Sequence, residues 1–258
     1  MSTGVDAELI QLTYPRVQAL LQRATPSIAI VPTGSVEAHG PHLPLGTDTM
    51  ISVEIARRAG RALAERGLVC LRFPAINYGV TDWARSFAGT VSMRAETTYA
   101  SVLETCMAAH AMGFARVVVT NAHLEPAHIQ TLRRVASDFE AATGVALLFV
   151  DKTRRRLAER LGAEFKSGSC HAGSYESSLV LAIAPALVDL PRAQALPPHI
   201  VPLHERIAAG AQDFVECGLD RAYCGTPSAA NVREGEATLE VRAQMVVEAV
   251  LASLASAG

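Results

Sequence analysis

The chain predicts an α/β protein, a three-layer α/β/α sandwich around a mainly parallel central sheet. Short apolar runs rich in branched residues alternate along it with longer segments of helical periodicity. Each run closes on a glycine or a polar loop. The periodic segments are long enough to cross back over a sheet, so that successive strands run the same way.

In order, SIAIVPT at 27 to 33 is a strand ended by Gly34, and TMISVEIARRAGRALAER at 49 to 66 is a helix stopped by Gly67. LVCLRF at 68 to 73 is the second strand, followed by a loop with Gly79 and Gly89 and a helix over about 96 to 112. ARVVVTN at 115 to 121, a helix over about 126 to 142 and the run VALLFVD at 145 to 151 continue the alternation. Beyond it ESSLVLAIAP reads as a buried helix, LPRAQALPP as a Pro-rich loop and EATLEVRAQMVVEAVLASLA as a closing amphipathic helix. With 258 residues, half of them hydrophobic, and no repeat or low-complexity linker, residues 1–258 read as one domain.

The charge balance excludes several partners. Lys and Arg number 23 against 25 Asp and Glu, a net charge of -2, so the electrostatic footprint of a nucleic-acid or anionic-lipid binder is missing. A small-molecule substrate fits better. The five cysteines are odd in number and lack CxxC spacing, which argues for reduced thiols. No apolar run reaches membrane-spanning length and MSTGVDAELIQLTYPRV lacks the pattern of a signal peptide, so the expected location is cytoplasmic.

Chemistry concentrates in two clusters, each just after a strand: Glu37, His39 and Asp48 in GSVEAHGPHLPLGTD, and His123 and Glu125 in TNAHLEP. Ligand sites of parallel sheets lie beyond the strands' carboxyl ends, which brings the clusters together. Residues two apart in extended chain point the same way, so each pair offers an imidazole and a carboxylate to one locus. Three carboxylates against two dications leave about one positive charge, which a bridging hydroxide cancels. Mixed N and O donors suit zinc or manganese, and iron is also compatible. Gly34, Gly40 and Gly46 suggest tight turns around the cage.

VPTGSVEAHGPHLPLGTD at 31 to 48 closely resembles the signature of the creatininase family of metal-dependent amide hydrolases. FAGTVSM, TNAHLEP, CHAGSYESS and GTPSAANVREGE match further blocks in the same order, so the resemblance spans most of the chain. It implies two ions per subunit bridged by Asp48, with Glu37 and His123 on one and His39 and Glu125 on the other. Some relatives take the last carboxylate from the HAGxxE block, here Glu176, whereas others have a His-x-Glu pair like HLE. Four coordinating carboxylates would disfavour a hydroxide, so one of Glu125 and Glu176 coordinates and the other accepts a proton or supports a ligand. The reading favours Glu125 as ligand. His42, three residues after His39, is expected to hydrogen-bond a ligand carboxylate.

The resemblance also implies that His171 faces the substrate, giving a proton to the leaving nitrogen or holding the oxyanion. Cys170 is set aside as a nucleophile, because adjacent residues in extended chain face opposite ways. Trp83, Tyr78 and Arg85 in the loop 77 to 90, together with Tyr175, are the candidate substrate contacts. Creatinine-hydrolysing members use tryptophans in their later half to sandwich the ring, and this chain has one tryptophan, Trp83, which argues against creatinine itself. The expected reaction is hydrolysis of an amide C–N bond in a small, cyclic molecule by a metal-bridging hydroxide. The alternatives are a mycofactocin-precursor-type peptidase or a formamide hydrolase on the same cage, and an inactive metal-binding scaffold. Members of the family assemble as homo-oligomers, often hexamers, and the same is expected here.

Overall fold

The computed structural model describes residues 4–256. Strand β1 (Val5–Glu8) and helix α1 (Tyr14–Leu21) precede β2 (Ser27–Thr33), α2 (Thr47–Glu65), β3 (Val69–Arg72), α3 (Ala95–Ala111), β4 (Arg116–Asn121), α4 (Pro126–Thr143) and β5 (Leu148–Phe149). Short helices α5 (Arg155–Ala158) and α6 (Ala163–Ser167) lead to α7 (Ser174–Ile183), α8 (Leu190–Ala195), α9 (Leu203–Ala208) and the closing α10 (Val232–Ala255). All pairings in the five-stranded sheet are parallel, in the order β1-β3-β2-β4-β5.

Alternate residues of the central strands feed opposite faces, and both are buried. Ile28, Ile30, Cys70 and Val118 pack under α2, α7 and α10. Ala29, Val31, Val69, Leu71, Val117 and Val119 pack against α3 and α4, with Leu20 of α1. This double burial explains why the strands read as continuous apolar runs. On the first face α10 crosses α7 closely: a Cβ at Gly235 would overlap the Ser178 carbonyl. The close approach seats α7, which carries Glu176.

The topology sets the site. From β2 the chain turns through α2 to β3 on one side, whereas β4 lies on the other side of β2 and leads through α4 to β5 on the opposite face. The crevice between the ends of β2 and β4 is therefore a switch point. The register aligns Thr33 with Asn121, so the two cluster-bearing loops leave the sheet side by side.

Three local expectations change. The run at 145 to 151 forms a strand only at Leu148–Phe149, because the Val145 amide binds the Thr143 hydroxyl and the Asp151 carboxylate binds Thr153 and Arg133. Residues 190 to 195 form α8 rather than a loop: Asp189 caps it by accepting from the Arg192 amide at 3.1 Å, and a proline occupies its first turn. Edge strand β1 gains its order from pairing with β3 and from Asp6, which accepts from Arg72 at 2.9 Å, contacts invisible in local sequence. Among the described residues no helix is long and apolar enough to cross a membrane.

Candidate metal centre

Glu37 and His39 lie in the loop after β2, and Asp48 in the first turn of α2, where the helix dipole favours its negative charge. His123 and Glu125 follow β4 directly. His171 and Glu176 come from the turn into α7, where Ala172 adopts a φ of 50°, uncommon for a residue with a side chain, and directs its amide to Glu176 Oε2 at 2.7 Å. Gly40, at a φ of 60°, supplies a left-handed turn between His39 and Pro41, and Gly34 gives room for Thr49. Gly46 has open space around it.

Two donor groups share Asp48. Nδ1 of His123 stands 3.1 Å from Glu37 Oε1 and 3.1 Å from Asp48 Oδ2. Nε2 of His39 stands 3.7 Å from Glu37 Oε1, from Asp48 Oδ1 and from Glu176 Oε2. Donors at about 2.1 Å from a tetrahedral ion are about 3.4 Å apart, so the 3.7 Å spacings around His39, too long for hydrogen bonds, suit ligands of one ion, and the 3.1 Å spacings of His123 fit a shared ion as well as a hydrogen bond. The sets Glu37–Asp48–His123 and His39–Asp48–Glu176 each lie within 4.8 Å, and Asp48 offers one oxygen to each histidine.

Both imidazoles are held by backbone carbonyls, which can only accept. His39 Nδ1–H donates to Glu37 O at 3.1 Å and His123 Nε2–H to Val80 O at 2.7 Å, so the other nitrogen of each faces the carboxylates, carrying a proton in the metal-free protein and offering a lone pair once a cation displaces it. His39 Nε2 is buried and has no hydrogen-bond partner. That orphaned atom among three carboxylate oxygens is what a cation would satisfy. The carboxylates are fixed from behind: Ser35 Oγ donates to Asp48 Oδ2 at 2.6 Å and Thr81 Oγ1 donates to Glu37 Oε2.

The electrostatics agree with a cation site. Burial opposes the charge on His39, yet Asp48, Glu176 and Glu37 outweigh it and raise its pKa to about 10. His123 is raised likewise, by Glu37 and Asp48 against its burial. Burial raises Glu176 to about 7 despite His39, and also raises Glu125, which His123 offsets only in part.

The sequence reading placed Glu125 beside His39; the structure places Glu176 there. Glu125 Oε2 instead accepts from the Trp83 amide at 3.2 Å, and its side chain borders the cavity at the centre. Glu125 stands at the non-helical cap position before α4 and turns to the Trp83 amide, whereas the first turn of α7 delivers Glu176 to His39. His42 binds no ligand carboxylate: its Nε2 pairs with Ser177 Oγ at 2.8 Å. His171 Nε2–H donates to Ala38 O at 3.0 Å, and burial together with the His39 charge lowers its pKa to about 4. A neutral ring so engaged offers Nδ1 as an acceptor.

The cavity at the centre is small, about 60 Å³, and its outer wall is apolar. Trp83 lines it, with Phe214 6.1 Å away edge-on and itself 4.3 Å from the His171 ring. Tyr78 is exposed, Arg85 pairs with Asp82 at the surface, and Tyr175 is buried in the core against Phe165 at 5.1 Å; none of the three lines the cavity. Cys170 borders it beside His171, contrary to the opposite-face expectation, but burial drives its thiol pKa well above the ordinary value and disfavours a thiolate.

Sequence reasoning missed Leu203, Ile207 and Phe214, which come from a stretch without strong periodicity. It also missed Lys152, buried behind the site with Nζ donating to Ala122 O at 2.6 Å, and Arg242, donating to Asn121 O at 2.6 Å; together they hold the backbone before His123. His128 is buried with its ring 4.9 Å from that of His123.

A family model described as Creatinine amidohydrolase matches residues 10–250. The mycofactocin precursor peptide peptidase of Mycobacterium ulcerans (strain Agy99) is 31% identical over 229 residues, 87% of this chain and 83% of that protein. The creatinine amidohydrolase of Pseudomonas putida is 26% identical over 258 residues, 93% of this chain and 94% of that protein. A solved structure titled "Creatininase Mn" superposes with a TM-score of 0.73 at 21% identity, covering 95% of this chain and 98% of that one.

Proposed function

The chain belongs to the creatininase family of hydrolases, and we propose that it cleaves an amide C–N bond at a centre of two divalent ions. Glu37, Asp48 and His123 would hold one ion and His39, Asp48 and Glu176 the other, with Asp48 shared. The unpartnered Nε2 of His39, buried among three carboxylate oxygens, carries this reading. The mixed imidazole and carboxylate donors suit zinc or manganese.

When bound, such a pair supplies a water of lowered pKa and polarises the amide carbonyl. The residues around it do the rest. Glu125 faces the cavity without belonging to either donor set, so its carboxylate is free to take the proton of the attacking water and pass it to the departing nitrogen. Nδ1 of His171 accepts the amide N–H and turns the scissile bond. Trp83 and Phe214 exclude bulk water, which strengthens each polar contact inside.

The small volume at the centre favours a compact, cyclic amide as substrate. Peptide cleavage is the second reading, favoured by the peptidase name of the relative at 31% identity. The test is metal analysis of the purified chain after incubation with zinc or manganese, then product analysis across lactams, hydantoins, formamides, creatinine and short peptides. Two ions per chain and a new carboxylate with a new amine are expected. A folded chain that takes up no ion would overturn the proposal.

A further inference from the structure

Beside the cavity at the metal centre lies a larger one, about 470 Å³, that the proposed chemistry leaves unused. The two share Leu124, Cys170, Leu203 and Ile207 as a common wall, all uncharged and mostly apolar. Leu203 and Ile207 stand four apart on α9, on the same face of the helix. Beyond the shared residues the lining includes apolar Ala158 and Phe165 and the polar Arg155, Glu159, Lys166 and His204. Arg155 Nε donates to Glu159 Oε1 at 2.9 Å, so those charges offset each other. Lys166 is exposed and has no ion pair among the described residues, which leaves its ammonium as the uncompensated charge at this mouth.

A compact ring held at the ions would leave this second space empty. An elongated molecule would fill it, and the lining, an apolar wall shared with the centre together with a free cation, specifies which kind. We propose that the second cavity receives the remainder of an elongated amide substrate, an apolar stem against Leu203 and Ile207 ending in a carboxylate at Lys166. This rests on the reading of the centre as an amide hydrolase and deepens its linear branch. A peptide C-terminus and a plain chain acid share this chemistry.

Trp83 is the chain's one tryptophan and lines the first cavity, so its emission reports occupancy. Zinc-loaded protein is titrated with N-acetyl-leucyl-phenylalanine, with the same dipeptide as its C-terminal amide, and with 6-acetamidohexanoate. The free acid is expected to bind about fivefold more tightly than the amide, the upper range for one solvent-exposed ion pair. Lys166→Glu removes or reverses that preference, and Ile207→Phe, which narrows the space, weakens both dipeptides alike. Binding of the acid dipeptide alone assigns the site to peptides; binding of the hexanoate as well assigns it to the shared chemistry. Equal binding of acid and amide, a preference that survives Lys166→Glu, or no saturable change with either dipeptide would overturn the proposal. Zinc content measured on the same samples separates the two claims: a chain without zinc refutes the metal centre, whereas a zinc-loaded chain indifferent to the carboxylate refutes only the second cavity's role.

Discussion

Glu176→Gln and Glu125→Gln should separate the two carboxylates that the sequence leaves competing for one position. Glutamine keeps the shape of glutamate and an acceptor oxygen, so at position 176 it still takes the Ala172 amide, now 2.7 Å from Oε2, and the turn into α7 holds. What disappears is the charge 3.7 Å from His39 Nε2. Two dications balanced by Glu37, Asp48 and Glu176 would then be balanced by only two carboxylates, and the ion beside His39 would lose one of three protein ligands. Loss of a supporting outer group costs about 10- to 100-fold in metal affinity, so loss of a charged ligand should exceed about 100-fold, or about 2.8 kcal/mol. Glu125 accepts from the Trp83 amide and belongs to neither donor set, so its variant should keep both ions within about tenfold and lose turnover by about 100-fold or more. Competition with a chromophoric chelator gives the affinities, and elemental analysis the stoichiometry. Equal affinity losses in the two variants, or an ion lost from Glu125→Gln and kept in Glu176→Gln, would refute the assignment.

His171→Ala should keep both ions and lower turnover by about 100-fold or more, read by elemental analysis and steady-state rates. Thermal melts across pH test the cage: with the pKa of His39 raised from 6.5 to about 10, its proton stabilises the metal-free fold fully below 6.5, and that contribution is lost as pH rises through about 10. Bound ions replace that proton, so the difference in Tm between loaded and metal-free protein should widen from pH 6.5 to about 10; a constant difference would count against it. Gly235→Ala should lower stability by about 1–3 kcal/mol in urea unfolding, because its Cβ overlaps the Ser178 carbonyl where α10 crosses α7.

Where neighbours in the chain are neighbours in space, the sequence was readable. β2, β3 and β4 with α2, α3 and α4 lie close to their expected bounds because strands buried on both faces must be apolar throughout and their covering helices periodic. β1 was missed because its four residues, VDAE, lack such a run and gain order only from β3 and the ion pair of Asp6 with Arg72. α8 was missed because prolines that suggest a loop also suit a helix's first turn.

At the site, residue type and spacing singled out Glu37, His39, Asp48 and His123, and the structure brings their donor atoms together. The choice of Glu176 over Glu125 beside His39, the loss of Tyr78 and Tyr175 as cavity residues, and the entry of Phe214, Leu203, Ile207 and Lys152 depended on how α7, α9 and the loops cross the sheet ends. Those placements are set by backbone turns such as the one at Ala172 and by packing such as that at Gly235, where residues far apart in the chain meet at distances of a few ångströms. The sequence alone thus determined which donor groups this protein has to offer, because donor type follows from residue type. Only the tertiary structure decided which copy of each group reaches the centre, because side-chain direction is a property of the folded backbone.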